Sequence, residues 1–354
     1  MLDDFNRYSC QMKLPGFGSS GQARLQAAKV LVIGMGGLGC PAALYLASSG
    51  IGTLALADDD RVSVSNLHRQ ILFTGEDAGM KKVSVAAAKL RQQNPHIAVV
   101  EYDLKVDAAN IWEVMEPYDI VVDATDNFET RYLINDAGVL TGKPVVYGAI
   151  YQFEGQVAVW NVLQSDGRFS PHYRDVFPQV NAAMVPDCSV GGVTPPIAGM
   201  IGCMQANEVI KYLTGTGELL AGKILTLDAA TLQSRVIRIG FVSKVPVTAL
   251  AQPVEVPTIS AAALQAALSG GVYELIDVRT PAERAEFHIG GTHVPVTELE
   301  SNTNYLNLSR PTVFYCASGK RSAEAVKQLG RKFPGAVMYS LDGGLKAWQE
   351  MGQP

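Results

Sequence analysis

Two short stretches hold residues whose types and spacing can do chemistry. In "VFYCASGKRSAEAV", Cys316 follows an apolar run and precedes Ala317, Ser318, Gly319, Lys320, Arg321 and Ser322. A cysteine on a strand-to-helix turn meets loop N–H groups and the positive end of a helix dipole, here with Lys320 and Arg321 adding full charges. Such surroundings favour a thiolate, and then a persulfide anion, near neutral pH. The stretch therefore reads as an exposed reactive thiol on a loop that enters a helix near Ser322. Arg321 follows Cys316 by five residues, one short of the spacing with which a cysteine phosphatase clasps phosphate, so sulfur chemistry is the better fit.

The second stretch is "KVLVIGMGGLGCPAAL", in which Gly34, Gly36, Gly37 and Gly39 lie between an expected strand and an expected helix. Glycines let a backbone approach a phosphate, and the helix N-terminus offers unpaired N–H groups. Asp58 ends the next expected strand, where it can accept from ribose hydroxyls, and Asp60 follows it. The glycines alone fit NAD as well as ATP. "SNLHRQ" decides between them, because Asn66, Arg69 and Gln70 share one face of an expected helix capped by Ser65. That polar face suits a triphosphate, whose oxygens an arginine fork can orient. Lys82 adds a cation near the start of the next helix, and "DATDN" brings Asp123, Asp126 and Asn127 to a strand end, where a carboxylate can hold Mg²⁺.

The elements that must position these residues alternate regularly. "KVLVIG", "GTLALAD", "HIAVVEYD", "DIVVDAT" and "PVVYGAI" read as buried parallel strands, with helices at "GCPAALYLASSG" and "KKVSVAAAKLRQQN". "EGQVAVWNV" and "GKILTLDAATLQSRVIRI" add antiparallel strands at one side. The fold class is α/β, a Rossmann-like doubly wound mixed sheet over residues 1–240. Residues 241–257, rich in proline, read as a linker, and residues 258–354 as a second, smaller α/β domain.

Composition narrows the function classes. The 354 residues carry a net charge of −5 and no basic run, which speaks against nucleic-acid binding. No apolar stretch reaches the roughly 18 residues of a membrane span. The polar start "MLDDFNRYSC" reads as no signal peptide. Five scattered cysteines without a C-x-x-C pair fit a reducing cytoplasm.

The order G-x-G-G-L-G, D-x-D, "SNLHRQ", Lys82 and "DATDN" resembles the ubiquitin-activating-like adenylyltransferases, in the bacterial ThiF and molybdopterin-synthase adenylyltransferase (MoeB) branch. The resemblance runs from about Arg7 to Gly240. It implies ATP-dependent activation of the C-terminal Gly-Gly carboxylate of a small ubiquitin-fold sulfur carrier, by a homodimer. It places Asp58 on the ribose, Asn66, Arg69 and Lys82 on the triphosphate, and Asp126 on Mg²⁺ or the reacting groups. Cys188, in "MVPDCSVGGVTPP", stands where ThiF-like relatives carry a cysteine that accepts the acyl group or forms an acyl disulfide. "YELIDVRTPAERAEFHIGGTHVP", "VFYCASGKRSAEAV" and "LDGGLKAW" resemble a single rhodanese domain over about residues 258–350, with Asp277 and Arg279 bracing its loop. That likeness implies a sulfur donor, a cysteine desulfurase or thiosulfate, which loads Cys316.

Two departures from the resembled pattern stand out. "RYSCQ" keeps Arg7 but sets Cys10 where relatives carry an arginine that reaches the partner subunit's nucleotide. "HYRD" replaces the first C-x-x-C pair of a Cys₄ zinc site with His172 and Asp175, and the second pair has no counterpart near residues 235–255. No structural zinc is therefore expected. Elemental analysis of protein purified without added metal tests this, and about one zinc per chain would overturn it.

Overall fold

Short apolar runs whose two faces are both covered by helices become parallel strands. In the N-terminal part these are β1 (Lys29–Ile33), β2 (Thr53–Ala57), β3 (Ala98–Tyr102), β4 (Ile120–Asp123) and β5 (Val145–Tyr151). β6 (Glu154–Trp160), β7 (Lys223–Asp228) and β8 (Gln233–Arg238) extend the sheet antiparallel. The order is β3-β2-β1-β4-β5-β6-β7-β8. This computed structural model describes residues 2–178, 192–250, 256–268, 270–299, 303, 306 and 308–351, with side chains from Asn6 onward. They form two compact units that divide near residue 252.

Among the described residues the helices of the first unit are α1 (Leu2–Met12), α2 (Gly18–Ala27), α3 (Gly39–Ser48), α4 (Lys82–Gln93), α5 (Phe128–Thr141) and α6 (Pro195–Thr214), together with two shorter ones. One apolar core packs Val30, Val32, Leu54 and Leu56 under α3, α4 and α6, and another packs Leu31, Ile33 and Ala55 on the opposite face. β1 pairs with β2 on one side and β4 on the other, so the strand order reverses there. The crevice beyond the carboxyl ends of β1 and β4 is where open α/β sheets bind ligands.

The proline-rich stretch read as a linker is held to the first unit over its opening half. Ser243 N–H donates to the Phe169 carbonyl (3.1 Å), and Lys244 and Val245 N–H both donate to Asp175 Oδ1 (2.7 and 2.8 Å). His172 Nε2 meets the Val245 carbonyl at 2.8 Å. A buried capping pair has seized backbone groups that an unattached linker would leave to water.

The second unit is a parallel sheet built from β9 (Thr258–Ile259), β10 (Glu274–Asp277), β11 (Thr292–His293), β12 (Thr312–Tyr315) and β13 (Met338–Leu341). Its order is β11-β10-β12-β13-β9. α7 (Ala261–Leu268), α8 (Pro281–Glu286), α9 (Lys320–Lys332) and α10 (Gly344–Met351) complete it. Among the described residues no helix is long and apolar enough to cross a membrane.

Two glycines shape the β1–α3 turn for different reasons. Gly34 has φ +96° and a Cβ there would lie 2.7 Å from the Ala124 carbonyl oxygen. A Cβ at Gly39 would collide with the Gly34 carbonyl itself. Gly36 is roomier, its nearest neighbour being Gln70 Nε2 at 3.8 Å. Gly34→Ala should lose about 2 kcal/mol or more of stability, from strain and overpacking together, whereas Gly36→Ala should leave the fold unchanged. Urea unfolding of both variants checks this, and equal stabilities would contradict it.

Candidate active sites

The residues expected to face a nucleotide gather because β1, β2 and β4 end side by side. Register pairing of Ile33 with Ala57 carries Asp58 next to the glycine turn. Asp58 Oδ2 accepts the Met35 N–H at 2.6 Å and Oδ1 accepts the Asp60 N–H at 2.8 Å. Lys82, 3% exposed at the start of α4, donates to Asp60 Oδ2 at 2.7 Å and stands 3.8 Å from Asp58 Oδ1. Burial pushes the Asp58 carboxyl above its ordinary value and Lys82 pulls against that rise.

"SNLHRQ" is not the α-helix expected from its spacing. Val64–Asn66 forms a single 3₁₀ turn whose N-cap position is Ser63, so Ser65 caps nothing. Asn66, Arg69 and Gln70 nonetheless converge, because the N–H groups of Arg69 and Gln70 both return to the Asn66 carbonyl (3.1 and 3.0 Å). Arg69 Nη2 donates to Asn66 Oδ1 at 3.2 Å, and its stem runs beside Gly37, where a Cβ would come within 3.4 Å of Arg69 Cγ. Gln70 is buried next to Gly36, and its Oε1 has no hydrogen-bond partner. An orphaned buried acceptor beside a glycine cradle fits a site shaped for a ligand.

The strand-end carboxylates separate into two roles. Asp123 is buried and accepts both the Thr125 N–H (3.0 Å) and the Thr125 hydroxyl (2.6 Å), with Arg131 Nε 3.4 Å from its other oxygen. It is therefore a brace and not a metal ligand, contrary to its equal standing in the sequence. Arg131, which the sequence reading passed over, donates to the Thr125 and Gly148 carbonyls and lies 4.9 Å from the Tyr147 ring centroid. Asp126 is exposed and forms no hydrogen bond or ion pair among the described residues. Asn127 caps α5 by accepting the Thr130 N–H at 2.8 Å. The side-chain oxygens of Asp58, Asp59 and Asp60 lie within 4.8 Å of one another, so this cluster offers a cation donor set that the reading of Asp126 alone missed. The run "DDD" was its signal.

The thiols differ sharply. Cys188 lies outside the described residues. Cys10 is exposed on α1, and Cys40 is fully buried, its thiol pushed up to about 12 by desolvation. Cys316 is only 1% exposed, not the open thiol its loop implied. It directly follows β12, and the helix begins at Lys320, two residues earlier than expected. Gly319, at φ +88°, turns its N–H onto Cys316 Sγ at 3.2 Å, and the Ser322 hydroxyl approaches at 3.6 Å. The loop is seated by α10, since Leu345 and Lys346 N–H donate to the Cys316 and Ala317 carbonyls (2.8 and 3.0 Å). A Cβ on Gly344 would lie 2.5–2.7 Å from the Cys316 carbonyl and the Ser318 and Gly319 nitrogens, so the contact needs glycine.

The charges around that loop also differ from the expectation of two free cations. Arg321 forms a bidentate pair with Glu283, at 2.8 and 2.5 Å, and this holds the Glu283 carboxyl down to about 2. Asp277 and Arg279 pair with each other, Arg279 Nε and Nη2 reaching the two carboxylate oxygens at 2.9 and 2.7 Å, and Arg279 holds the Glu283 and Phe287 carbonyls (3.1 and 2.6 Å), so what they brace directly is α8 and its exit. His293 Nε2 meets the Arg279 carbonyl at 2.8 Å. No local pattern in the sequence marks Glu283 as the partner of Arg321. It lies four residues past Arg279, on a helix whose direction decides which side chain meets the loop.

Comparison with known proteins follows the same division. Residues 8–247 match the ThiF family and residues 260–351 match the rhodanese-like domain. The chain is 40% identical over 375 residues to the "Probable adenylyltransferase/sulfurtransferase MoeZ" of Mycobacterium tuberculosis, covering 99% of this chain and 94% of that one. It is 47% identical over 228 residues to the "Sulfur carrier protein adenylyltransferase" of Thermus thermophilus, covering 64% of this chain and 84% of the other. Among solved structures, E. coli MccB with ATP superposes with a TM-score of 0.55 at 24% identity, over 63% of this chain and 67% of MccB, which speaks for the fold. With its ThiF match spanning well over half its length and a full-length relative at that identity, the chain belongs to the ThiF family and carries a rhodanese-like domain behind its ThiF domain.

Proposed function

We propose that this protein adenylates the C-terminal glycine of a small ubiquitin-fold sulfur carrier and then sulfurates it from a persulfide on Cys316. The chain is an enzyme of two transferase kinds, adenylyltransferase and sulfurtransferase. The observation that carries the reading is its likeness, over 99% of its length, to a relative named for both activities.

In the first step the glycine turn at Gly34, Gly36, Gly37 and Gly39 lets the triphosphate approach backbone N–H groups. Asp58 receives the ribose, and Asn66, Arg69, Gln70 and Lys82 face the phosphates. Lys82 already holds a carboxylate in place of a phosphate oxygen, so substrate binding exchanges one anionic partner for another. Asp126, next to Asn127 in sequence, is the expected Mg²⁺ side of the site, with Asp60 also an acidic candidate, and the ion would supply charge neutralisation there when bound. A carrier carboxylate oxygen attacks the α-phosphorus, the bond to pyrophosphate breaks, and Arg69 and Lys82 balance the developing charge.

In the second step the Cys316 thiolate takes sulfane sulfur from a cysteine desulfurase or thiosulfate. The persulfide sulfur attacks the acyl carbon, the C–O bond to AMP breaks, and a carrier–Cys316 acyl disulfide results. Attack by a second thiol on the Cys316 sulfur, with Cys188 the candidate in this chain, releases the carrier thiocarboxylate and leaves a disulfide. Joining both steps in one cytoplasmic homodimer raises the effective concentration of a hydrolysable acyl-adenylate at the sulfur site.

A second reading rests on Cys10, exposed where the resembled family carries a phosphate-facing arginine. In it, the first domain is a carrier-docking scaffold with weak or absent adenylation, leaving only sulfur transfer. Carrier-dependent ATP–pyrophosphate exchange on the full chain separates the two, and absence of exchange with carriers ending in Gly-Gly would overturn adenylation. Lys82→Met should lower exchange by about 10²–10³-fold. Cys316→Ala should keep exchange and abolish thiocarboxylate formation from thiosulfate, read by intact-mass analysis of the carrier. Wild-type product formation by that variant would remove Cys316 from the sulfur path.

A further inference from the structure

The guanidinium beside the reactive sulfur is already taken. Arg321 Nη1 and Nη2 donate to Glu283 Oε2 and Oε1 at 2.8 and 2.5 Å, and the side chains are only 26% and 33% exposed. Glu283 cannot readily swing away, because Oε2 also accepts the Thr280 N–H (3.0 Å) and hydroxyl (2.9 Å) in the capping box of α8. Its main chain is fixed too, by Arg279 Nη1 on the Glu283 carbonyl at 3.1 Å. The neighbouring Asp277 is matched by Arg279 at 2.7 Å, with Arg284 at 3.6 Å. On the loop itself, Lys320 is exposed and forms no ion pair among the described residues. Negative charge on Cys316 Sγ is met by the Gly319 N–H, the Ser322 hydroxyl and the start of α9, and by an Arg321 guanidinium whose charge is shared with Glu283.

We propose that Glu283 is a specificity-determining residue for the sulfur donor: by neutralising Arg321 it tunes the loop to hold a single negative charge and to disfavour dianionic donors. This rests on the reading of Cys316 as the sulfur relay. When the Cys316 thiolate attacks the outer sulfur of thiosulfate, an S–S bond forms, the S–SO₃ bond breaks, and its electron pair leaves on sulfite. Three negative charges then share a loop whose arginine is already paired. Attack on a protein persulfide forms the same bond and displaces a thiol(ate), so less charge accumulates. The loop thus favours a thiol-borne persulfide over small oxyanionic donors.

The test uses the full-length protein and compares alkylation of Cys316 by iodoacetate and by iodoacetamide, followed by mass spectrometry of the Cys316 peptide. The anionic-to-neutral rate ratio reports the charge at the sulfur whether or not sulfur is ever relayed. Glu283→Gln should raise that ratio about fivefold and lower the KM for thiosulfate by a similar factor, as one uncompensated charge at short range in a partly solvated site would do. Arg321→Gln should lower the ratio, and the double variant should return it towards wild type. An unchanged or lowered ratio in Glu283→Gln overturns the proposal, and should that variant not fold, an unchanged or raised ratio in Arg321→Gln does so. A wild-type protein that never gains sulfur at Cys316 from any donor overturns the relay reading, while the alkylation ratio still decides the charge balance.

Discussion

A lysine ammonium buried to 3% exposure has to be paired, and the partners of Lys82 organise the nucleotide side of this protein. An unpaired charge at such a depth costs several kcal/mol, roughly the scale of a domain's whole stability. Asp60 meets it directly and Asp58 stands behind. Asp58 in turn holds the Met35 N–H, and so fixes the glycine turn that follows β1. One electrostatic requirement thereby joins the end of β2, the start of α4 and the phosphate-facing loop. The result is a cation already desolvated and oriented, whose direct partner, Asp60, is an exposed carboxylate.

The sulfur side follows the opposite rule. Cys316 is buried, its sulfur meets a backbone N–H and a hydroxyl, and the one guanidinium that reaches it, Arg321, is shared with Glu283. Its geometry depends on close backbone approach: Gly319 in the left-handed region turns the N–H inward, and Gly344 lets α10 lie against the loop. Charge is present at Arg321 but is balanced by Glu283. The two candidate sites are therefore built differently, the first around a buried lysine and the second around backbone N–H groups and a paired arginine.

The strands were legible because buried parallel strands are short, apolar and rich in β-branched residues, and those of the first unit fall where "KVLVIG", "GTLALAD" and their successors stand. The converging positions of Asn66, Arg69 and Gln70 were legible as well, although spacing that fits an α-helix turned out to be a 3₁₀ turn followed by hydrogen-bonded turns. Periodicity over so few residues cannot separate the two, since both return N–H groups to carbonyls three or four positions back. The stretch after Phe241 read as a linker for lack of periodicity, yet its backbone is claimed by Asp175 and His172 from far earlier in the chain.

By itself, then, the sequence determined which chemistries are present, because residue types at local spacings suffice for that: a glycine-rich phosphate turn, a polar cluster behind it, and a cysteine at the mouth of a helix. Only the tertiary structure decided which charges remain available. Asp123 and Asp126 look alike along the chain, but one is consumed by Thr125 and Arg131 while the other faces solvent. Arg321 looks like a free cation until Glu283, 38 residues earlier, closes on it. Charge availability depends on partners brought together by strand order and helix direction, and no local pattern encodes those distances.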